Sequence, residues 1–315
     1  MPSYDNKLIN RIKDRMLLGT IYDQIMMHVK YTDEKTRFLY SVMAGQKHRM
    51  IFYRRFKKKY LEKCTADRPW ERLEKKTNKD TVWFMWLQGI DNAPDIVKKC
   101  LESQKKAMPD KHFIVLDDSN YQEYASLPDF IVKKHDEGII GHAHFSDLIR
   151  NEILIKHGGF WIDSTVFMTD ANLVESIEKT NLFMYSYYYF GFNPEIMELN
   201  NWFIYSTTNN NMLSLLQKFL YEYWKDNNRA SNYYIYHIFE TIVNEYYEDE
   251  YKAMPIVSQA QAHVLATYIY DKYDPDKFEC LKKTTGVHKL STRFEQDKLK
   301  EKGTFYDVII NQSDY

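Results

Sequence analysis

Apolar positions along the chain fall into two rhythms that meet near residue 80. Before it, Leu8, Ile9, Ile12, Met16, Leu17 and Ile21 recur at offsets that suit one face of a helix, so residues 1 to about 62 read as helical. Residues 63 to 80 turn polar and charged with few apolar anchors, as in a linker. From Thr81 onward, short apolar runs end in polar or glycine residues and alternate with helical patterns, the mark of strands interleaved with helices. The runs are Val82 to Leu87, ending at Gln88-Gly89; Phe113 to Leu116, ending at Asp117-Asp118; and Phe160-Trp161-Ile162, ending at Asp163. After the first, Asp91 or Asn92 can cap a helix with Pro94 near its first turn, and Val97, Cys100, Leu101 and Gln104 share one side of it. Phe145, Leu148, Ile149 and Ile153 predict a second helix over about 143 to 156, closed by Gly158-Gly159. Met212, Leu213, Leu215, Leu216, Phe219, Leu220 and Tyr223 mark another, and Tyr-rich helical stretches continue to about residue 270.

Fully apolar strands that end in carboxylates or amides predict an α/β sheet whose ligands gather at the carboxyl ends of its strands. The expected division is a helical extension and linker over 1 to 80 and a catalytic α/β region over 81 to 315 whose later part is helical.

Composition narrows the function. The 315 residues are 44% hydrophobic and 16% aromatic, enough for a sizeable core. Forty-three Lys and Arg against 44 Asp and Glu leave a formal net charge of -1, without the basic field that nucleic-acid binders carry. The start shows no signal-peptide pattern and no run approaches a membrane span, while Cys64, Cys100 and Cys280 stand far apart in no metal-like or redox-like pair. A cytoplasmic protein is expected. One local exception is the basic cluster Arg54-Arg55-Phe56-Lys57-Lys58-Lys59, either a solvated helix face or a contact for the inner face of a membrane carrying anionic lipid.

Neither of the two commonest nucleotide-binding loops is present, since no G-x-G-x-x-G follows a strand and no G-x-x-x-x-G-K-[ST] occurs. A nucleotide sugar would have to be held another way. Its diphosphate gains charge as the glycosidic bond breaks, and Mn²⁺ or Mg²⁺ on hard oxygen ligands is the natural electrophile. Asp163, at a strand end, supplies such an oxygen.

Several blocks resemble the glycosyltransferases of the capsular polysaccharide synthesis type, related to glycosyltransferase family 32 with its GT-A fold. They are Trp86-Leu87-Gln88-Gly89 through Ala93-Pro94; Leu116-Asp117-Asp118 with Tyr124 and Leu127-Pro128; His144-Phe145-Ser146-Asp147-Leu148-Ile149-Arg150; Gly158-Gly159-Phe160-Trp161-Ile162-Asp163-Ser164-Thr165; and His288-Lys289-Leu290. Together they span roughly residues 81 to 292.

The resemblance implies a GT-A-like, Rossmann-like sheet and transfer of a hexosyl unit from a nucleotide diphosphate sugar, UDP-sugar favoured, to a hydroxyl of a growing or lipid-linked bacterial glycan, with retention of configuration. It makes Asp163 the first carboxylate of the family's DXD metal motif. Thr165 stands where the second belongs, which either weakens metal affinity or gives a further ligand more weight, and His288 fits the C-terminal His that supplies it in many GT-A enzymes. Trp86 and Gln88 would line the base pocket, Asp117 would contact the nucleoside, and Asp147 and Arg150 would flank the donor's hydroxyls and phosphate. Gly159 and Thr165 would lie against the donor, Lys289 would neutralise the departing diphosphate, and Asn200 and Asn201 would reach the transferred sugar.

Plainer readings stand beside these. Asp163 can cap the following turn, and Asp147 with Arg150 can be an ordinary helix ion pair. His142 and His144 lack further ligands for zinc and read as structural. The aromatic run Tyr185, Tyr187, Tyr188, Tyr189 and Phe190 suits either a sugar platform or simple packing. A sugar-phosphate transferase or phosphohydrolase of capsule synthesis could use the same carboxylates, and a non-catalytic assembly scaffold would tolerate Thr165.

Overall fold

The computed structural model describes residues 12, 14, 16–26, 28, 33–187 and 196–312, with only the backbone at 34, 35 and 38. Leu8 and Ile9 of the first helical pattern, and Tyr188, Tyr189 and Phe190 of the aromatic run, lie outside them.

The described helices of at least eight residues are α1 (Leu17–Ile25), α2 (Glu34–Thr65), α3 (Asp95–Ala107), α4 (Asp129–Asp136), α5 (His142–His157), α6 (Asn211–Asp226), α7 (Ile235–Tyr246) and α8 (Pro275–Thr284). Seven strands accompany them: β1 (Thr81–Met85), β2 (His112–Leu116), β3 (Gly159–Ile162), β4 (Val166–Met168), β5 (Leu182–Ser186), β6 (Leu199–Ser206) and β7 (Val287–Lys289). Five build the central sheet in the order β2-β1-β3-β6-β5, and β4 pairs with β7 in a separate ribbon.

The three strands expected from the sequence are the parallel part of that sheet, with β1 pairing in parallel to both β2 and β3. Val82 to Met85 and Gly159 to Ile162 are buried throughout, the signature of strands covered on both faces. β6 and β5 extend the sheet antiparallel. The α/β architecture is therefore the expected one, although the aromatic Tyr185 proves to be a sheet residue. It is buried and stacks on Trp202 at 4.5 Å, so at this position packing and not a sugar platform accounts for the ring.

The helix predicted around 143 to 156 is α5. Phe145, Leu148, Ile149 and Ile153 are all fully buried on one face. It stops at Gly158, whose φ of 66° few side chains adopt. Gly159 has φ of 96°, and a Cβ there would stand 2.7 Å from the Thr81 carbonyl oxygen. The glycine pair thus lets β3 close against β1. Its backbone conformation and the Thr81 oxygen make Gly159 a packing requirement of the sheet.

Met16, at the cap of α1, is buried, while Ile21 within it and Ile12 before it are exposed, so these positions do not form one inward face. α2 packs more firmly. Phe52, Phe56, Tyr60 and Cys64 join the hydrophobic cluster that α5, α6 and α7 form over one face of the sheet, with Phe56 stacked on Phe239 at 5.0 Å. The basic cluster on α2 is partly spent inside the protein: Lys57 pairs with Glu245 and Lys59 with Asp226, while Arg55 donates to the Asp14 carbonyl. Residues 63 to 80 run along the body, tied by Asn78 to the His157 carbonyl and by reciprocal bonds between Lys76 and Thr208.

Candidate active site

A cleft of about 340 Å³ opens at the carboxyl ends of β1 and β3. Trp86, Leu87 and Gln88 line it from the end of β1, His144, Ser146, Asp147 and Arg150 from the start of α5, and Asp163 and Ser164 from the end of β3. Asn201 of β6 and Tyr233 and His237 near α7 complete the wall.

Its centre is Arg150, which is 5% exposed. One guanidinium nitrogen lies 3.0 Å from Asp163 Oδ1; the other donates to the Asn201 carbonyl at 2.7 Å and sits 3.2 Å from Asp147 Oδ1. The guanidinium also covers the Trp161 ring at 4.8 Å. Spacing of three residues on α5 brings Asp147 and Arg150 to the same side. The plain reading of an exposed helix ion pair fails here, because Arg150 is buried and holds two carboxylates from different elements.

Asp147 also accepts from the Asn201 side-chain amide at 2.9 Å. Burial raises its pKa to about 6, with Asp163 adding to the rise and Arg150 and the Asn201 bond opposing it. Asp163 Oδ1 accepts from Trp161 Nε1 at 3.0 Å as well as from Arg150. Its backbone is pinned on both sides: its N–H donates to the Trp202 carbonyl at 2.9 Å, and Gln104, wholly buried on α3, donates to the Asp163 and Val166 carbonyls. Gln104 was legible only as part of a helix face; its role needs α3 and β4 to meet.

Lys289 arrives from the far end of the chain. β7 pairs with β4 so that Lys289 stands opposite Val166, and its ammonium donates to Thr165 Oγ1 and lies 3.7 Å from Asp163 Oδ2. Asp163, Thr165, Lys289, Arg150, Asp147 and Asn201 are thus brought together. Trp86 and Gln88 face the same cleft, and the buried Trp86 Nε1 has no hydrogen-bond partner among the described residues.

Two expected residues are elsewhere. His288 is not brought to Asp163. Neighbouring residues of a strand point to opposite faces, so with Lys289 turned to Asp163 and Thr165, His288 faces inward, fully buried within 6.3 Å of the Phe167 ring and 6.4 Å of the Phe278 ring. Its Nε2 lies 3.3 Å from Thr169 Oγ1, and burial lowers its pKa to about 4. Asp117, at the end of β2, turns its carboxylate to the N–H and hydroxyl of Ser119, which lower its pKa, and it does not line the cleft. Asn200 is buried, beside the cleft residue Asn201.

The donor chemistry does not fit the expected Mn²⁺ or Mg²⁺. Such an ion needs at least one carboxylate oxygen free of a competing cation, the rest of its shell coming from water and phosphate, whereas here one Asp163 oxygen is held by Arg150 and Trp161, the other faces the Lys289 ammonium, and that ammonium also holds Thr165. Among the described residues no group of three His, Cys, Asp or Glu side chains is arranged to hold a metal ion.

The sequence reads His144 as structural and gives His237 no role. Both line the cleft, and burial lowers their pKa to about 4 and about 3, so both are neutral near pH 7. A histidine inside the apolar stretch Ile235-Tyr236-His237-Ile238 was the available signal.

The family described as capsular polysaccharide synthesis protein matches residues 33–309. The chain belongs to that family. The match takes in α2 as well as the sheet, and so reaches beyond the span of the quoted motifs. No curated protein matches. Among solved structures, the apo form of the glycosyltransferase GlyE of Streptococcus pneumoniae TIGR4 is similar at 13% identity and a TM-score of 0.39, over 75% of this chain. The chain spans 63% of that protein's length. No described helix of this family member is long and apolar enough to cross a membrane.

Proposed function

We propose that the protein is a glycosyltransferase of capsule synthesis that takes a hexosyl unit from a nucleotide diphosphate sugar, UDP-sugar before GDP-sugar, and passes it to a hydroxyl of a growing or lipid-linked glycan. The observation that carries this reading is the convergence of Asp147, Arg150, Asp163 and Asn201 on one cleft beside Trp86 and Gln88, with Lys289 set against Asp163 at its edge.

Each group has work that suits such a donor. Trp86 offers a ring for the base to stack on, with a buried N–H free to donate, and Gln88 an amide for its edge. Asp147 and Asn201 accept from and donate to sugar hydroxyls, and Arg150 holds both carboxylates in place. Lys289 with the Thr165 hydroxyl meets the oxygens on which charge develops as the sugar departs.

Retention is part of the proposal. Among the described residues the only carboxylates lining the cleft are Asp147 and Asp163, and both are held by Arg150. A front-face transfer, in which the leaving diphosphate itself takes the acceptor proton, needs no separate base. Hydrolysis of a panel of UDP- and GDP-sugars, followed by nucleoside diphosphate release, tests the reading. Wild type should release the diphosphate from one donor and Asp163→Asn should lose about a hundredfold or more of that rate; release of phosphosugar instead would favour the sugar-phosphate transferase, and no turnover of any donor the scaffold.

A further inference from the structure

We infer that Lys289 takes the electrostatic place of the divalent cation, so that this chain binds the diphosphate of its donor without metal. The inference rests on the nucleotide-sugar reading above.

Three observations lead there. First, the ammonium stands where the second half of a metal motif would act: it donates to Thr165 Oγ1 and lies 3.7 Å from Asp163 Oδ2. A cation placed on Oδ2 would sit against it, and like charges at contact distance repel strongly in a partly dry cleft. Second, the other Asp163 oxygen is committed to Arg150 and Trp161, so the only oxygen of that carboxylate left for an ion is the one that faces Lys289. Third, Thr165 and Lys289 are coupled. A carboxylate at 165 would give Lys289 a second anion to pair with, whereas the neutral hydroxyl accepts one ammonium N–H and leaves the positive charge only partly compensated. Lys289 is 18% exposed on the side chain and lies against Asp163, which lines the cleft, so its remaining ammonium protons are within reach of a ligand bound beside Asp163.

In the occupied site the ammonium and the Thr165 hydroxyl would therefore point at the same phosphate oxygens. Thr165 accepts from Lys289, which leaves its own O–H free to donate. Lysine suits the task as a compact, strongly hydrated point charge. Its position depends on β7 and not on a flexible loop, because Val166 pairs with Lys289 and the Leu290 N–H donates to the Thr165 carbonyl at 2.8 Å.

The test is calorimetry of UDP and GDP binding to the full chain, once in excess EDTA and once in Mn²⁺. The expected result is the same affinity for the preferred nucleotide in both, and a loss of about tenfold or more in EDTA for Lys289→Ala with its fold verified by thermal melting. The double variant Thr165→Asp, Lys289→Ala should in turn acquire Mn²⁺-dependent binding. Wild-type binding that vanishes in EDTA and returns with Mn²⁺ overturns the inference and leaves the nucleotide-sugar reading standing. Unchanged binding in folded Lys289→Ala also overturns it. If neither nucleotide binds under either condition, the nucleotide-sugar reading falls and takes the inference with it. The wild-type comparison needs no variant, so an unfolded Lys289→Ala does not remove the test.

Discussion

His288 and Lys289 are neighbours in sequence and opposites in the fold. Lys289 reaches Thr165 and Asp163 at the cleft, while His288 lies between Phe167 and Phe278 with no exposed surface. Both were candidates for the same site when only the sequence was considered. The difference teaches that a short motif on a strand delivers alternate residues to a site, and its other residues to whatever packs beneath. On α5 the reverse holds: Asp147 and Arg150, three apart, share a side and meet in the cleft.

The largest effect should come from Arg150→Ala. It strips the partner from two carboxylates at once, and leaving buried charges unpaired costs about 3–5 kcal/mol. Urea denaturation should show that loss, with donor hydrolysis abolished in the fraction still folded. Retained stability would mean that the cleft is wetter than its geometry indicates. Next, His288→Ala should divide stability from binding, the opposite of Lys289→Ala. A cavity among Phe167, Phe278 and Thr169 should cost about 2–4 kcal/mol, while nucleotide binding by the folded protein stays as in wild type. Loss of metal-dependent binding in that variant would instead restore His288 as a ligand and erase the contrast between the two faces.

The smallest effect is in pH. Asp147 has its pKa raised to about 6, so the folded state holds its proton more tightly than the unfolded chain does. Its contribution to stability is then favourable at low pH and is lost as pH rises through about 6. Function runs the other way, since the anion is the form that accepts from Asn201 and from a sugar hydroxyl. Catalytic efficiency should therefore fall as pH drops through about 6, and Asp147→Asn should abolish that inflection. His144, His237 and His288 oppose Asp147 in stability: their lowered values mean that the unfolded state takes up protons first, so stability drops as pH falls below about 6.5.

The parts of the fold that were legible have local causes. β1, β2 and β3 showed as apolar runs, and α5 and α6 showed as apolar periodicities, because each buries a face or both faces by itself. The ribbon β4–β7 did not show, since three-residue strands carry no readable period and their partners lie over 100 residues apart. Within the site, Asp163 stood out through its strand-end position, and Asp147 and Arg150 through the resemblance of their block to the family. Gln104 and His237 did not, because a buried polar residue on an apolar helix face looks the same whether it fills space or braces a loop.

Hydrophobic periodicity and turn chemistry act over a few residues, and the sequence alone was therefore enough to place Asp163 at the end of an α/β strand with Asp147 and Arg150 on the preceding helix. Only the tertiary structure decided that Asp163 would share its two oxygens between Arg150 and Lys289, that Thr165 would meet an ammonium, and that His288 would turn away. Those outcomes depend on the pairing of β4 with β7, a contact between distant segments whose register no local pattern encodes.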